Sequence, residues 1–192
     1  MKKSVYNGLT ERTRRLLDGA ENLFVDFKRE IEGVHPATFV AFANASGGTI
    51  LVGVEEARRR NGMQYGRIYG VEPTDGNKLR LVSMASSCRP GVKIEIFIEN
   101  LSDKPIFRIE VPEGENKPYC TASGEYKIRD DGGNRGITPQ EMVGIILERQ
   151  QSQVARIVGR LETIELKLEE FGKILDRITK NRRREDGTRE TP

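Results

Sequence analysis

The sequence predicts an α/β lobe, a mixed sheet with packed helices, followed by a long C-terminal coiled-coil helix. Three observations predict it. Thr49-Ile50-Leu51-Val52-Gly53-Val54 is a near-continuous apolar, β-branched run, the pattern of a strand buried on both faces. Segments 93–98 and 107–111 alternate apolar and polar residues with the period of a strand. From Val154 to Ile178, apolar residues recur at spacings of three and four without a miss.

The remaining elements follow in order. Leu9, Leu16 and Leu17 line one side of a short helix that Gly19 would end. Leu23 to Lys28 reads as a strand. A helix starts near Pro36, a residue suited to the first turn, and buries Phe39, Val40, Phe42 and Ala43. Asn44-Ala45-Ser46-Gly47-Gly48 breaks it, and Gly47 and Gly48 serve a helix end and a tight strand entry. Asn61-Gly62 marks a turn, with Arg67-Ile68-Tyr69 as a partner strand. Residues 77–88 form a second helix. Tyr126 to Arg129 is a last short strand before a Gly-rich loop, 130–136. Phe24 and Phe27 are expected in the core.

Thr138-Pro139-Gln140-Glu141 is a helix entry, with Thr138 as cap and Glu141 closing a capping box. Beyond it, Val154, Leu161, Leu168 and Leu175 take the a positions of a heptad repeat, and Ile157, Ile164, Phe171 and Ile178 the d positions. Leucine at a with isoleucine at d favours assemblies larger than a parallel dimer. Three segments result: a lobe over 1–139, a coiled-coil helix over 140–180 that joins copies of the chain through 143–178, and a disordered polar tail over 181–192.

Of the 192 residues, 36% are hydrophobic and 32% charged, and the net charge is +3. The charged share suits a long surface helix. No run of about 18 apolar residues is present, which excludes a membrane-spanning helix, and no apolar core follows the basic start, so no secretory signal is read. Cys88 and Cys120 lack metal-ligand spacing and His35 is the sole histidine, which excludes the usual zinc sites. A cytoplasmic protein with free thiols is expected. Basic clusters stand at 12–15, 58–60 and 182–184.

One constellation has chemical potential. Asp26 and Lys28 project to one face of the first strand, Glu21 precedes it, and Glu55 and Glu56 close the apolar strand. If the two strands are neighbours, the carboxylates converge near Lys28. Carboxylates without His or Cys suit Mg2+ or Mn2+, which can activate water for phosphodiester cleavage while Lys28 steadies the phosphate. Acidic residues at strand ends are commonplace, and taken alone these read as solvated charges. Arg29, Arg58, Arg59, Arg60 and Arg129 are candidate phosphate contacts.

The block Ala41-Phe42-Ala43-Asn44-Ala45-Ser46-Gly47-Gly48-Thr49-Ile50-Leu51-Val52-Gly53-Val54-Glu55, the earlier Glu21 to Lys28, and the later Lys117-Pro118-Tyr119 and Glu125 to Arg129 together resemble the Schlafen AlbA-type domain over roughly 15–140. The resemblance implies an α/β fold and nucleic-acid binding. In the members with nuclease activity it implies a metal-dependent endoribonuclease site acting on tRNA and rRNA, to which Glu21, Asp26, Lys28 and Glu55 or Glu56 would correspond. Asp26 stands where the family has Glu, and Glu55-Glu56 where it has Asp.

Three readings result. The first is a protein binding RNA or DNA, with metal-dependent RNA cleavage at Glu21, Asp26, Lys28, Glu55 and Glu56. The second is a non-catalytic DNA-binding or regulatory module. The third is an assembly protein built on the coiled coil.

Overall fold

The computed structural model describes residues 4–187, with side chains to Leu175. Residues 4–146 make one compact unit and 147–187 belong to a second. Helix α1 (Glu11–Leu17) is capped by the Thr10 side chain, which accepts the Thr13 N–H. It ends at Asp18, whose N–H donates to Arg14, one residue before Gly19. Strand β1 (Val25–Lys28), helix α2 (Pro36–Asn44) and strand β2 (Gly48–Val52) form a β-α-β unit with β1 and β2 parallel. Strands β3 (Val54–Arg58) and β4 (Gln64–Ile68), helix α3 (Asp75–Ser86), strands β5 (Glu95–Glu99) and β6 (Ile106–Val111), and strands β7 (Lys127–Asp130) and β8 (Gly133–Gly136) follow, before helix α4 (Pro139–Gly187).

The central sheet has the order β1-β2-β6-β5. Both of its faces are covered, which is why Ile50, Leu51 and Val52 of β2 are apolar in succession. Ile50 and Val52 point into a core shared with Phe39, Val40 and Phe42 of α2 and Leu81 of α3. Leu51, on the opposite face, joins Leu17, Val25, Phe27, Val54 and Ile106 in a second core. Residues 4–6 run along β5, where Ile98 donates to Ser4 at 2.8 Å and accepts from Tyr6 at 2.9 Å.

The apolar run 49–54 is not one strand. Gly53 takes φ +93°, where a side chain would be strained, and turns the chain out of the central sheet. Its carbonyl accepts both the Tyr69 and Gly70 N–H groups. The chain continues as the separate two-stranded ribbon β3–β4, with Glu55 opposite Arg67 and Ala57 opposite Tyr65. At Gly66 the ribbon packs so closely that an added Cβ would lie 2.8 Å from Leu17 and 3.0 Å from Phe27.

The expected loop 130–136 is also corrected: it forms the hairpin β7–β8. Phe27 is buried as expected, but Phe24, just before β1, is 55% exposed. Gly47 and Gly48 do serve the helix end: the Gly47 N–H donates to Phe42, and a Cβ on Gly48 would strike the Phe42 ring. The capping box forms, with Glu141 accepting from the Thr138 N–H at 2.8 Å and Thr138 accepting from the Glu141 N–H at 3.3 Å. Helix α4 extends to Gly187, into the stretch expected as a tail; the side chain of Ile178 and residues 188–192 lie outside the described residues. Among the described residues, no helix is long and apolar enough to cross a membrane.

Candidate nucleic-acid interface

Strand β1 lies at the edge of the central sheet, so its outer backbone groups have no neighbouring strand. Side chains take that place. The Glu21 carboxylate accepts the Phe27 N–H at 2.5 Å. The Arg129 guanidinium donates to the Asn22 carbonyl at 2.7 Å and the Val25 carbonyl at 3.2 Å. Two of the predicted site residues thus close a sheet edge.

Asp26 is buried on the α2 side of β1, between two cations. Lys28 Nζ lies 2.6 Å from Oδ2, and Arg129 Nη1 lies 3.2 Å from Oδ1. Arg129 also stands 4.5 Å over the Phe42 ring and donates to Asn134. It is 4% exposed, so the residue expected to grip phosphate is a structural tie between β7, β1 and α2. Nearby, Asn44 fastens the end of α2 to the later chain. Its amide donates to the Tyr119 and Lys127 carbonyls at 2.8 and 2.9 Å, and its oxygen accepts the Tyr119 N–H at 2.7 Å. Sequence reasoning treated Asn44 only as part of a helix break; its place inside the matched block was the available signal.

Burial pushes the Glu21 carboxyl above its ordinary value; the Phe27 N–H and Lys28 oppose this, and Asp26 and Glu56 reinforce it. Glu21, Asp26, Lys28 and Glu56 therefore share one electrostatic neighbourhood. Glu55 does not join it. Successive residues of β3 face opposite ways, and Glu55 pairs with Arg67 at 2.6 Å and Arg29 at 3.7 Å on the outer side of the ribbon.

Oxygen donors of this kind suit Mg2+ or Mn2+ in type, but their arrangement does not fit such an ion. Asp26 has a cation beside each oxygen, with Oδ2 accepting no hydrogen bond, one Glu21 oxygen accepts a backbone N–H, and Glu55 faces two arginines. Among the described residues, no three Asp, Glu, His or Cys side chains converge as a metal site.

The basic side chains gather on the ribbon instead. Arg58, Arg59 and Arg60 are consecutive and exposed at its tip. Local bonds brace the tip: Arg59 N–H to Met63 O at 2.8 Å, Gly62 N–H to Arg59 O at 2.9 Å, and Met63 N–H to the Asn61 side chain at 3.1 Å. Arg59 pairs with Asp18 at 3.1 Å and lies 5.2 Å from the centre of the Tyr65 ring. Arg58 and Arg60 have no acidic partner among the described residues. Arg29 reaches from beyond β1 to lie 3.9 Å over the Tyr69 ring. Arg67, which was not among the predicted contacts, stands on the same outer face as Glu55 and Tyr65. The arrangement is a basic ribbon with two tyrosines among its arginines.

A family model described as Schlafen, AlbA_2 matches residues 21–138. No curated protein matches the chain. Among solved structures, the N-terminal domain of a RecG-related protein from Nitrosomonas europaea is 23% identical with a TM-score of 0.49, over 72% of this chain and 95% of that one. The DIP2311 protein from Corynebacterium diphtheriae is 18% identical with a TM-score of 0.44, over 65% of this chain and 25% of that longer one.

Proposed function

Because the chain belongs to the Schlafen AlbA_2 family, we propose that it is a nucleic-acid-binding protein that holds the phosphate backbone with the β3–β4 ribbon. The observation that carries this reading is the run Arg58-Arg59-Arg60, exposed at the ribbon tip, with two of its three guanidinium groups free of acidic partners among the described residues. Arginine matches phosphate oxygens with paired donors. Arg29 and Arg67 lie along the same ribbon, sharing Glu55 between them. Lys28, which neutralises Asp26, is not a primary contact in this reading.

Binding without cleavage is the form the carboxylates support. Metal chemistry at Glu21, Asp26 and Glu56 would require an ion to compete with Lys28 and Arg129 for the Asp26 oxygens.

The test is fluorescence anisotropy with labelled duplex DNA and with structured RNA, over a series of salt concentrations. Replacing Arg58, Arg59 and Arg60 together by alanine is expected to weaken binding by about tenfold or more and to lower the salt slope by roughly two to three. Unchanged affinity and slope for both polymers would sink the proposal.

A further inference from the structure

From Val154 to Phe171, helix α4 carries an unbroken seam of apolar residues at a and d, with Val158 and Leu166 outside it. Val154, Ile157, Leu161, Ile164, Leu168 and Phe171 are each more than half exposed. Their strict spacing of three and four is that of a coiled-coil seam. What covers it is legible from the flanking positions.

Arg160 and Lys167 occupy g positions and Glu165 an e position. In a parallel pairing of identical helices, g faces the following e of the neighbour, so Arg160 meets Glu165 of a second copy, and the reverse pair forms as well. In an antiparallel pairing g faces g, which sets the basic side chains against one another. Gln150 adds a second argument. It is the polar d residue of the seam. Parallel copies in register place Gln150 against Gln150, where the amides can bond to each other. Other alignments bury it against leucine or isoleucine, with its amide unpaired.

Size follows from the seam itself. Ile157 and Ile164 at d, with Leu161 and Leu168 at a, favour more than two strands. Val158 at e and Ile174 at g, both 46% exposed, broaden the stripe in the way a larger bundle uses. We propose that residues 147–175 form a parallel, in-register coiled coil of three or four copies of this chain. It would bring the copies' lobes together at the helix N-terminal end.

The experiment is light scattering on the full-length protein after gel filtration, at tens of micromolar. Three or four chain masses are expected; one or two would overturn the proposed size. Leu161→Glu with Leu168→Glu is expected to give single chains. Leu166→Glu makes the same chemical change at an exposed leucine off the seam and is expected to leave the assembly whole. If Leu166→Glu dissociates it, or the seam variant stays assembled, the seam is wrongly placed. Val154→Cys reports orientation. Under mild oxidation it is expected to give covalently linked pairs on a non-reducing gel, with the wild-type protein, whose Cys88 and Cys120 are buried and free, staying unlinked. An assembled Val154→Cys protein that does not cross-link would overturn the parallel arrangement.

Discussion

Arg129 and Asp26, 103 residues apart in the chain, form an ion pair in which both side chains are almost fully buried. Removing one partner of such a pair strands the other's charge and costs about 3–5 kcal/mol. Asp26→Ala is therefore expected to lower the urea midpoint strongly. Replacing Asp26 and Arg129 together by apolar residues is expected to cost less than the sum of the single changes. Additive losses would show that the pair is not coupled. Loss of any activity in Asp26→Ala consequently needs a folding control before it is read as chemistry.

Glu21 gives a pH prediction of definite sign. Its folded carboxyl titrates above its ordinary value of 4.5, first because of burial. The folded state thus resists ionising Glu21. That cost is complete once pH exceeds the folded value, and it fades as pH falls through that value toward 4.5. Glu21→Gln, which keeps an acceptor for the Phe27 N–H, is expected to raise the melting temperature at pH 7 and to have little effect near pH 4. A gain confined to acid pH would contradict the assignment.

Asn44→Ala removes two donors and one acceptor from a buried junction, leaving the Tyr119 N–H and two carbonyls without that partner. A loss of about 2–4 kcal/mol is expected, read by chemical denaturation. Asn44→Asp keeps the acceptor but places a charge beside two carbonyls, and is expected to be no better tolerated. A neutral Asn44→Ala would mean that solvent substitutes freely there.

Incubation of the full-length protein with tRNA and Mg2+ or Mn2+ is expected to leave the RNA intact. Cleavage that disappears in Glu21→Gln and Lys28→Ala, with both variants shown to be folded, would restore the nuclease reading and show that Asp26 exchanges its partners on binding.

The sequence made local features legible and long-range ones not. The capping box at Thr138 and Glu141 depends on residues three apart, and the strands of the sheet announce themselves by apolar pattern. Gly53 was hidden because a glycine within an apolar run looks like strand; only its positive φ shows the chain leaving the sheet. Strand β8 carries no apolar residue, so no hydrophobic period exists to read. The positions of Glu55 and Arg129 were not legible, for different reasons. Glu55 depended on which way β3 faces once it has left the sheet. Arg129 looked like a surface cation beside acidic residues, and its burial follows from β7 lying against α2. Glu21 could not be recognised as an edge closure before β1 was known to be an edge.

That closure has a counterpart on the other side of the sheet. Glu21 and Arg129 occupy the outer rim of β1, and residues 4–6 lie along β5. Neither rim is left as a bare template for another chain, the usual route by which crowded sheets stick together. A lobe sealed in this way can stand at high concentration beside its copies without its central sheet fusing to theirs.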